Sequence, residues 1–498
     1  MKRTALILLS VLLFTTLFMS CASESSGDNS AVTTTAAEIT EDVVTTEAKI
    51  DPGLPDDIRY DGYEFRVLTK GLTNVHWKSF DIAAEEISGE PLNDAVYARN
   101  LSLNEKYGVK VIDIPGNYAD LQGQARKAIA AGDDMYDMLC FQPTSLIADG
   151  YLVDLYDIPY MNLEQPYYDQ NCVNSFAIGG KLFCVTGDML TMDNNATWCV
   201  QFNKKIVEDF NFAETYGKSM YGLVDDGQWT LDVLYDTIKI VAQDLNGDGV
   251  MKELVDRWGM QTEGYNFYSM LVGAGERIAV TDNDGYPVMT LDGERIVSVL
   301  EKVVEIQRDK LTVMDAGMPQ GYADVWGEVM DVNFQVGLVL YNMAGLNRVT
   351  LFRSMEVDFG ILPIPKYDEA QNGYYNPVSL GCANFICIPM TSSNLERTGI
   401  IIEALSCESK YTLLPAYYDI TLKTKASRDE ESSAMLDLIF ETTVFDIGAF
   451  FNWGNAQGII TGLTDAGTFT SKLASAEKTT VAAMEKTMKA IEELDSAY

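Results

Sequence analysis

Histidine is almost missing from this sequence: its 498 residues include one, His76. That scarcity removes zinc sites of the His-rich kind, and any Ser-His-Asp or Cys-His arrangement would have to converge on this single imidazole. No GxSxG elbow marks a nucleophile either. Positive charge is short as well, 36 Lys and Arg against 73 Asp and Glu, for a formal net charge of -37. A field of that sign repels nucleic-acid backbones and anionic membrane surfaces. A phosphate loop is also absent: in the nearest run, FAETYGKS, Phe212 stands where the first glycine belongs, so the backbone could not approach a phosphate. Cysteine shows no CxxC spacing. Beyond Cys21 the residues Cys140, Cys172, Cys184, Cys199, Cys382, Cys387 and Cys407 are odd in number and sit mostly in apolar runs. They read as buried small hydrophobes rather than as a disulfide framework or a metal site.

What is present begins with an export signal. MKRTALILLSVLLFTTLFMS opens on Lys2 and Arg3, continues as an uncharged apolar run and ends in a small residue before Cys21. Thr4 to Ser20 is short for a bilayer span, and no basic stop-transfer cluster follows. The segment FMSC resembles a bacterial lipobox, with Phe18 where leucine is preferred; the resemblance implies that Cys21 becomes the lipidated first residue of the mature chain. From Cys21 to about Asp57 the composition is Thr, Ser, Ala and acids without an aromatic, which cannot offset the entropy of ordering. This is expected to be a tether with a reach of roughly 30–35 Å, holding a folded body outside the membrane. The remainder, in a chain that is 47% hydrophobic, is long enough for two or three domains.

Order is expected to begin at YEFRVLT, a strand, followed by a helix in PLNDAVYARNLSLNEKYG that stops at Gly108, and by the strand VKVIDI. A second helix through LQGQARKAIAAG leads to YDMLCFQ. The β-α-β-α-β alternation predicts parallel strands with helices on both faces. The same grammar restarts at TWCVQFNKKIVEDF and in WTLDVLYDTIKIVAQ, where Thr230 can cap a helix with a stripe of Leu231, Leu234, Ile238 and Val241. IAVTDNDGYPVMTL reads as a hairpin turning at Asn283, Asp284 and Gly285. The last helix is expected to bury Val481, Met484, Met488 and Ile491.

The aromatic content, six Trp, 26 Tyr and 20 Phe, is placed partly in Gly/Asn/Asp-rich runs, at Trp77, Trp198, Trp229, Tyr341 and Trp453. Flat rings with planar Asp, Asn and Gln groups are what a sugar site needs, although each Trp alone reads equally well as core. The acids are too numerous for any carboxylate pair to be singled out as a glycosidase pair.

The run from GDDMYDMLCFQ through IGGKLFCVTGDM, followed by ATWCVQFNKKIVEDF, GQWTLDVLYDTIK, VDFGILPIPKYDEAQNGYY and ICIPMTSSNLERTGIIIEALS, is similar to the extracellular solute-binding proteins of ABC importers, the sugar-binding class that includes maltose-binding protein. The resemblance covers the chain from about residue 60 to its end. It implies an α/β, two-lobed periplasmic-binding-protein-like (type II) fold, each lobe a mixed sheet flanked by helices. The lobes are expected at 58–192 plus 379–425 and at 193–378 plus 426–498. It further implies a monomer without catalytic residues or a catalytic cofactor, closing on a neutral mono- or oligosaccharide and presenting it to the permease subunits. A peptide or other polar nutrient as ligand, and a secreted carbohydrate-active enzyme, are the alternatives. In this family the cleft is lined by loops at strand ends, which here gives Trp77, Gln142, Asp188, Asp193, Tyr341, Asn342, Trp453 and Asn455. Trp77, Tyr341 and Trp453 would stack on the ligand and the others would take hydroxyls.

One loop has a separate logic. DLNGDG places Asp244, Asn246 and Asp248 at positions 1, 3 and 5, with Gly249 at 6, the spacing by which an EF-hand-like loop points oxygens at one calcium ion. Position 12 is Val255, so Glu253 or Asp256 would have to supply the last carboxylate. The expectation is a structural calcium, against an empty Asx-rich turn.

Overall fold

From Phe65 onward every residue of Tyr63–Lys70 except Arg66 is buried, the pattern of a strand covered on both faces. This strand, β1, is flanked in parallel by β2 (Val109–Gly116) and by β3 (Met138–Cys140). An antiparallel strand, β12 (Ile386–Cys387), lies outside β3, giving the order β12-β3-β1-β2. Helix α1 (Pro91–Tyr107) joins β1 to β2 and ends where Gly108 takes a left-handed φ of 66°. Helix α2 (Leu121–Ala131) then carries the chain to the opposite side of β1. Because the chain goes from β1 to β2 on one side and then returns past β1 to β3 on the other, a crevice opens beyond the carboxyl ends of β1 and β3. The structure, a computed structural model, describes residues 49–71, 77, 80–352, 355–418 and 429–494. The expected export signal, Cys21 and His76 lie outside them.

The second sheet has the order β10-β4-β9-β5-β8. Its strands are β4 (Trp198–Asn203), β5 (Trp258–Thr262), β8 (Val313–Asp315), β9 (Val339–Gly345) and β10 (Phe359–Leu362). β9, β5 and β8 run parallel, and β4 is antiparallel to β9 with Trp198 opposite Gly345. The carboxyl ends of β5, β8 and β9 and the amino end of β4 therefore share one edge. Helix Leu231–Val241 packs beside β5; Thr230 caps it, and Leu231, Leu234, Ile238 and Val241 are its buried stripe as the sequence implies.

The lobes are joined by segments that bond laterally. Thr197 bridges to Val378, and Ser379 N donates to Ala196 O at 2.8 Å. Beside them β11 (Asn376–Pro377) pairs in parallel with β13 (Thr443–Val444). The expected hairpin is β6 (Ala279–Thr281) with β7 (Pro287–Met289).

Three details differ from the sequence reading. Residues 50–57 lie on the folded body instead of belonging to the tether: Ile50 N donates to Tyr411 Oη at 2.7 Å and Leu54 is buried. YDMLCFQ yields only a three-residue strand. The long helix Phe469–Glu493 buries Phe469, Thr480, Thr487 and Ile491, while Val481 is 48% exposed. A polar partner turned the helix: Trp453 Nε1 donates to Thr487 Oγ1 at 3.1 Å, and a Cβ at Gly454 would fall 1.8 Å from Thr480 Oγ1. The seven cysteines beyond Cys21 form no disulfide among the described residues; all but the half-buried Cys382 are buried.

Candidate functional site

At the crevice of the first sheet, a cavity of about 340 Å³ is lined by Lys70, Tyr118, Gln122, Phe141, Gln142 and Ser145 among others. Lys70, the last residue of β1, is buried and gives its ammonium protons to the carbonyls of Cys382 (2.6 Å) and Ala383 (2.8 Å). Burial pushes its pKa down to about 8. Its role is to staple the strand end to the returning 381–383 loop, which fixes the floor. Gln122 Oε1 accepts from Ser145 N at 2.8 Å, holding the start of the helix α3 (Thr144–Ala148) against that of α2. Gln142 Nε2 donates to Phe450 O at 2.9 Å. The wall is polar, with amides and hydroxyls beside the charged Asp120 and Arg126, and is backed by Phe141.

The facing edge of the second sheet carries a different set. Glu263 directly follows β5, and its side chain has no hydrogen-bond or ion-pair partner among the described residues. Burial raises its pKa to about 6, with Arg348 opposing and Asp315 adding to the rise. Arg348, just beyond β9, is held at one end by Asp331 (2.6 Å) and lies 4.9 Å over the Trp326 ring. Trp326 opens a single π turn, Trp326–Met330, a local widening of the helix that recurs at functional positions. Glu263, Arg348 and Trp326 were not singled out in the sequence. Glu263 carried a usable signal, its place directly after the strand WGMQT; Trp326 sits in a helical pattern that resembles core.

Trp77, from the segment after β1, reaches the second lobe. Its ring is stacked on Trp198 with centroids 6.1 Å apart and planes 16° from parallel, and Trp198 meets Tyr265 at 4.6 Å. Trp198 Nε1 donates to Asn266 Oδ1 at 2.8 Å, which fixes the ring. The aromatic ladder thus passes from one lobe to the other.

Trp77 and Gln142 stand at this interlobe edge; the other expected ligand residues are placed differently. Tyr341 and Asn342 are fully buried within β9, because that strand runs on to Gly345 instead of ending at Leu340. The Tyr341 hydroxyl lies 3.0 Å from Thr237 Oγ1, and Asn342 joins Gln261 (2.7 Å) and Gln201 (2.6 Å) in an amide ladder across three strands. Trp453 is buried against Phe451, centroids 4.7 Å apart, and Asn455 accepts from Asn452 Nδ2 at 3.3 Å. Asp188 is half-buried, 3.9 Å from Lys410, with its carboxyl pushed up to about 7 by burial. Asp193 is buried in the crossing segment, its pKa raised by the same cause.

Four of the five residues expected around calcium, Asp244, Asn246, Asp248 and Asp256, are engaged by the loop itself. Asp244 accepts from Gly247 N (2.7 Å) and Gly249 N (2.6 Å), and Asn246 Oδ1 from Asp248 N (2.8 Å). Asp248 accepts from Val250 N and pairs with the Lys252 ammonium. The buried Asp256 accepts from Leu245 N (2.9 Å) and Lys252 N (2.8 Å). Glu253 takes no part in these bonds. Among the described residues no group of three acids, cysteines or histidines converges to hold a metal. As arranged, the loop oxygens accept from the loop's own amides, and Asp248 pairs with Lys252.

The raised carboxyls have a consequence for pH. Asp188 (about 7), Glu263 and Asp331 (both about 6) keep protons in the folded chain that the unfolded chain releases near pH 4. Their contribution is fully present below those ordinary values and is lost as pH rises through 6 to 7. The melting temperature is therefore expected to fall between pH 5 and pH 7.5, and Asp188→Asn to flatten part of the slope. A melting temperature that climbs over that interval would contradict the assignment.

No protein-family model and no curated protein matches the chain. Solved structures are similar in fold. One is an ABC substrate-binding protein of Listeria monocytogenes in complex with cycloalternan, with a TM-score of 0.50 and 13% identity, covering 88% of this chain and 100% of that one. Another is a cyclo/maltodextrin-binding protein complexed with maltotetraose (TM-score 0.52, 14% identity, 87% and 97% covered). MalX of Streptococcus pneumoniae in complex with maltopentaose is a third (TM-score 0.51, 13% identity, 85% and 100% covered). The chain has the two-lobed fold of these solute-binding proteins.

Proposed function

We propose that this chain captures a neutral saccharide between its lobes and passes it unaltered to the membrane permease of an ABC importer. The observation that supports the reading best is the pairing of two unlike walls at the carboxyl ends of two sheets. One offers amides and hydroxyls at Gln122, Gln142 and Ser145. The other offers a half-buried ring, Trp326, and an unpartnered carboxyl, Glu263. A sugar presents an apolar C–H face to a ring and hydroxyl edges to planar acceptors, so it satisfies both walls at once. The saccharides held by the similar structures are of that class. Binding is the whole of the chemistry in this reading: the walls position and desolvate the ligand, and closure of the lobes retains it.

Calorimetric titration with glucose and with maltooligosaccharides up to maltopentaose tests the proposal. One saturable site per chain is expected, with the sugar recovered at its original length. The melting temperature should rise by mass action, equivalent to about 2.7 kcal/mol at one hundred times Kd. Silence across the neutral sugars, in both heat and melting, would remove the proposal. Shortened products would favour an enzyme instead.

A further inference from the structure

Behind the hinge a second cavity, about 360 Å³, is built from both lobes. The first lobe contributes Asn171, Asn174 and Ser175 of the helix α4 (Gln170–Phe176). The second contributes Arg277, β6 and Tyr375, and Thr443 of β13 completes the wall. The lobes touch here directly. Asn171 Nδ2 donates to Thr443 Oγ1 at 3.2 Å, and Gly179 N donates to Gly285 O at 2.9 Å in the turn of the β6–β7 hairpin.

Arg277 is the notable group in that wall. Its guanidinium lies 4.8 Å over the Tyr375 ring, and Nη1 donates to Val272 O (3.2 Å) and Glu276 O (2.8 Å). Nε and Nη2, the edge that takes a carboxylate side-on, donate to no described residue. The nearby acids are otherwise engaged: Glu276 pairs with Arg295, and Asp446 accepts from Ile278 N, Ala279 N, Gly448 N, Ala449 N and Tyr268 Oη. Glu441, on the exposed rim, makes no ion pair with Arg277. Buried Asp446 in the same wall acts on Arg277 through space without bonding to it, so the half-buried guanidinium keeps a hydrogen-bonding edge with a defined complement.

We propose that this rear cavity binds a small monocarboxylate anion, held side-on by Arg277 Nε and Nη2 above Tyr375 and capped from the first lobe by Asn174 and Ser175. One guanidinium neutralises one charge, and Glu441 at the rim disfavours a second. A ligand that touches both lobes here braces them at the hinge, independently of what occupies the front crevice.

The test compares melting temperatures in sodium acetate, sodium phosphate and sodium chloride at equal ionic strength and pH. Acetate is expected to give a saturable rise on the order of 2 °C over chloride, absent in Arg277→Gln. Because Arg277→Gln also disturbs packing on Tyr375, Ser175→Glu is the second variant. It leaves Arg277 in place, supplies a carboxylate from α4 and should melt higher in chloride while losing the acetate response. Glu441→Gln should strengthen that response. An acetate effect retained in both Arg277→Gln and Ser175→Glu, or no effect in the wild type, overturns the site. An Arg277-dependent response to phosphate alone overturns its assignment to a carboxylate.

Discussion

Tyr341→Ala is expected to cost roughly 3–5 kcal/mol of unfolding free energy, the loss typical of a large aromatic leaving a filled core. The residue is fully buried in β9, its ring 5.6 Å from that of Trp229, which is itself fully buried and donates from Nε1 to Pro363 O at 2.9 Å. Removing it opens a cavity between the second sheet and helix Leu231–Val241 and leaves Thr237 Oγ1 without its neighbour from the sheet. Tyr341→Phe keeps the packing and should cost about 1 kcal/mol. Denaturant unfolding measures both. A Tyr341→Ala protein as stable as the wild type, with saccharide affinity alone impaired, would return Tyr341 to the ligand surface.

Glu263→Gln should act in the opposite manner. A carboxylate that accepts from a sugar hydroxyl contributes about 1.5–3 kcal/mol, so its amide replacement is expected to weaken saccharide binding roughly ten- to hundredfold. Stability should not suffer. Burial holds the Glu263 pKa near 6, so at pH 7.5 the charged form works against the fold, and the neutral amide removes that penalty. A melting temperature equal to or above the wild type at pH 7.5, together with lost affinity, is the expected signature. Unchanged affinity would take Glu263 out of the site.

The difference between these two residues shows where sequence patterns carry and where they fail. The alternation from Tyr63 to Cys140, Gly108 as a helix stop, Thr230 as a cap and the turn at Asn283 to Gly285 are local signals, each decided by backbone geometry within a few residues. They made the α/β layering legible. The site depends on where strands end, which tertiary pairing decides. VGLVLYNMAG can be cut after Leu340 or after Gly345; pairing of Tyr341 with Phe202 and of Asn342 with Gln261 extends the strand and takes both side chains into the core. Trp453 was misplaced for a related reason. A Gly/Asn-rich run looks like a loop lip, yet Thr487, 34 residues later, supplies its hydrogen bond and buries the ring. Arg348 carries no periodic signal; its value comes from Asp331 and Trp326, which the chain brings to it through an irregular turn.

Variants on opposite lobes test the central claim most directly. Saccharide affinity is measured for Gln142→Ala on the first wall, for Glu263→Gln on the second and for the double variant, with melting temperatures taken in the absence of sugar. A ligand gripped from both sides requires each single variant to bind several-fold more weakly or worse, and the double variant more weakly still, while all three melt close to the wild type. A sugar that binds either single variant as tightly as the wild type is held by one lobe alone, and that result would contradict the account.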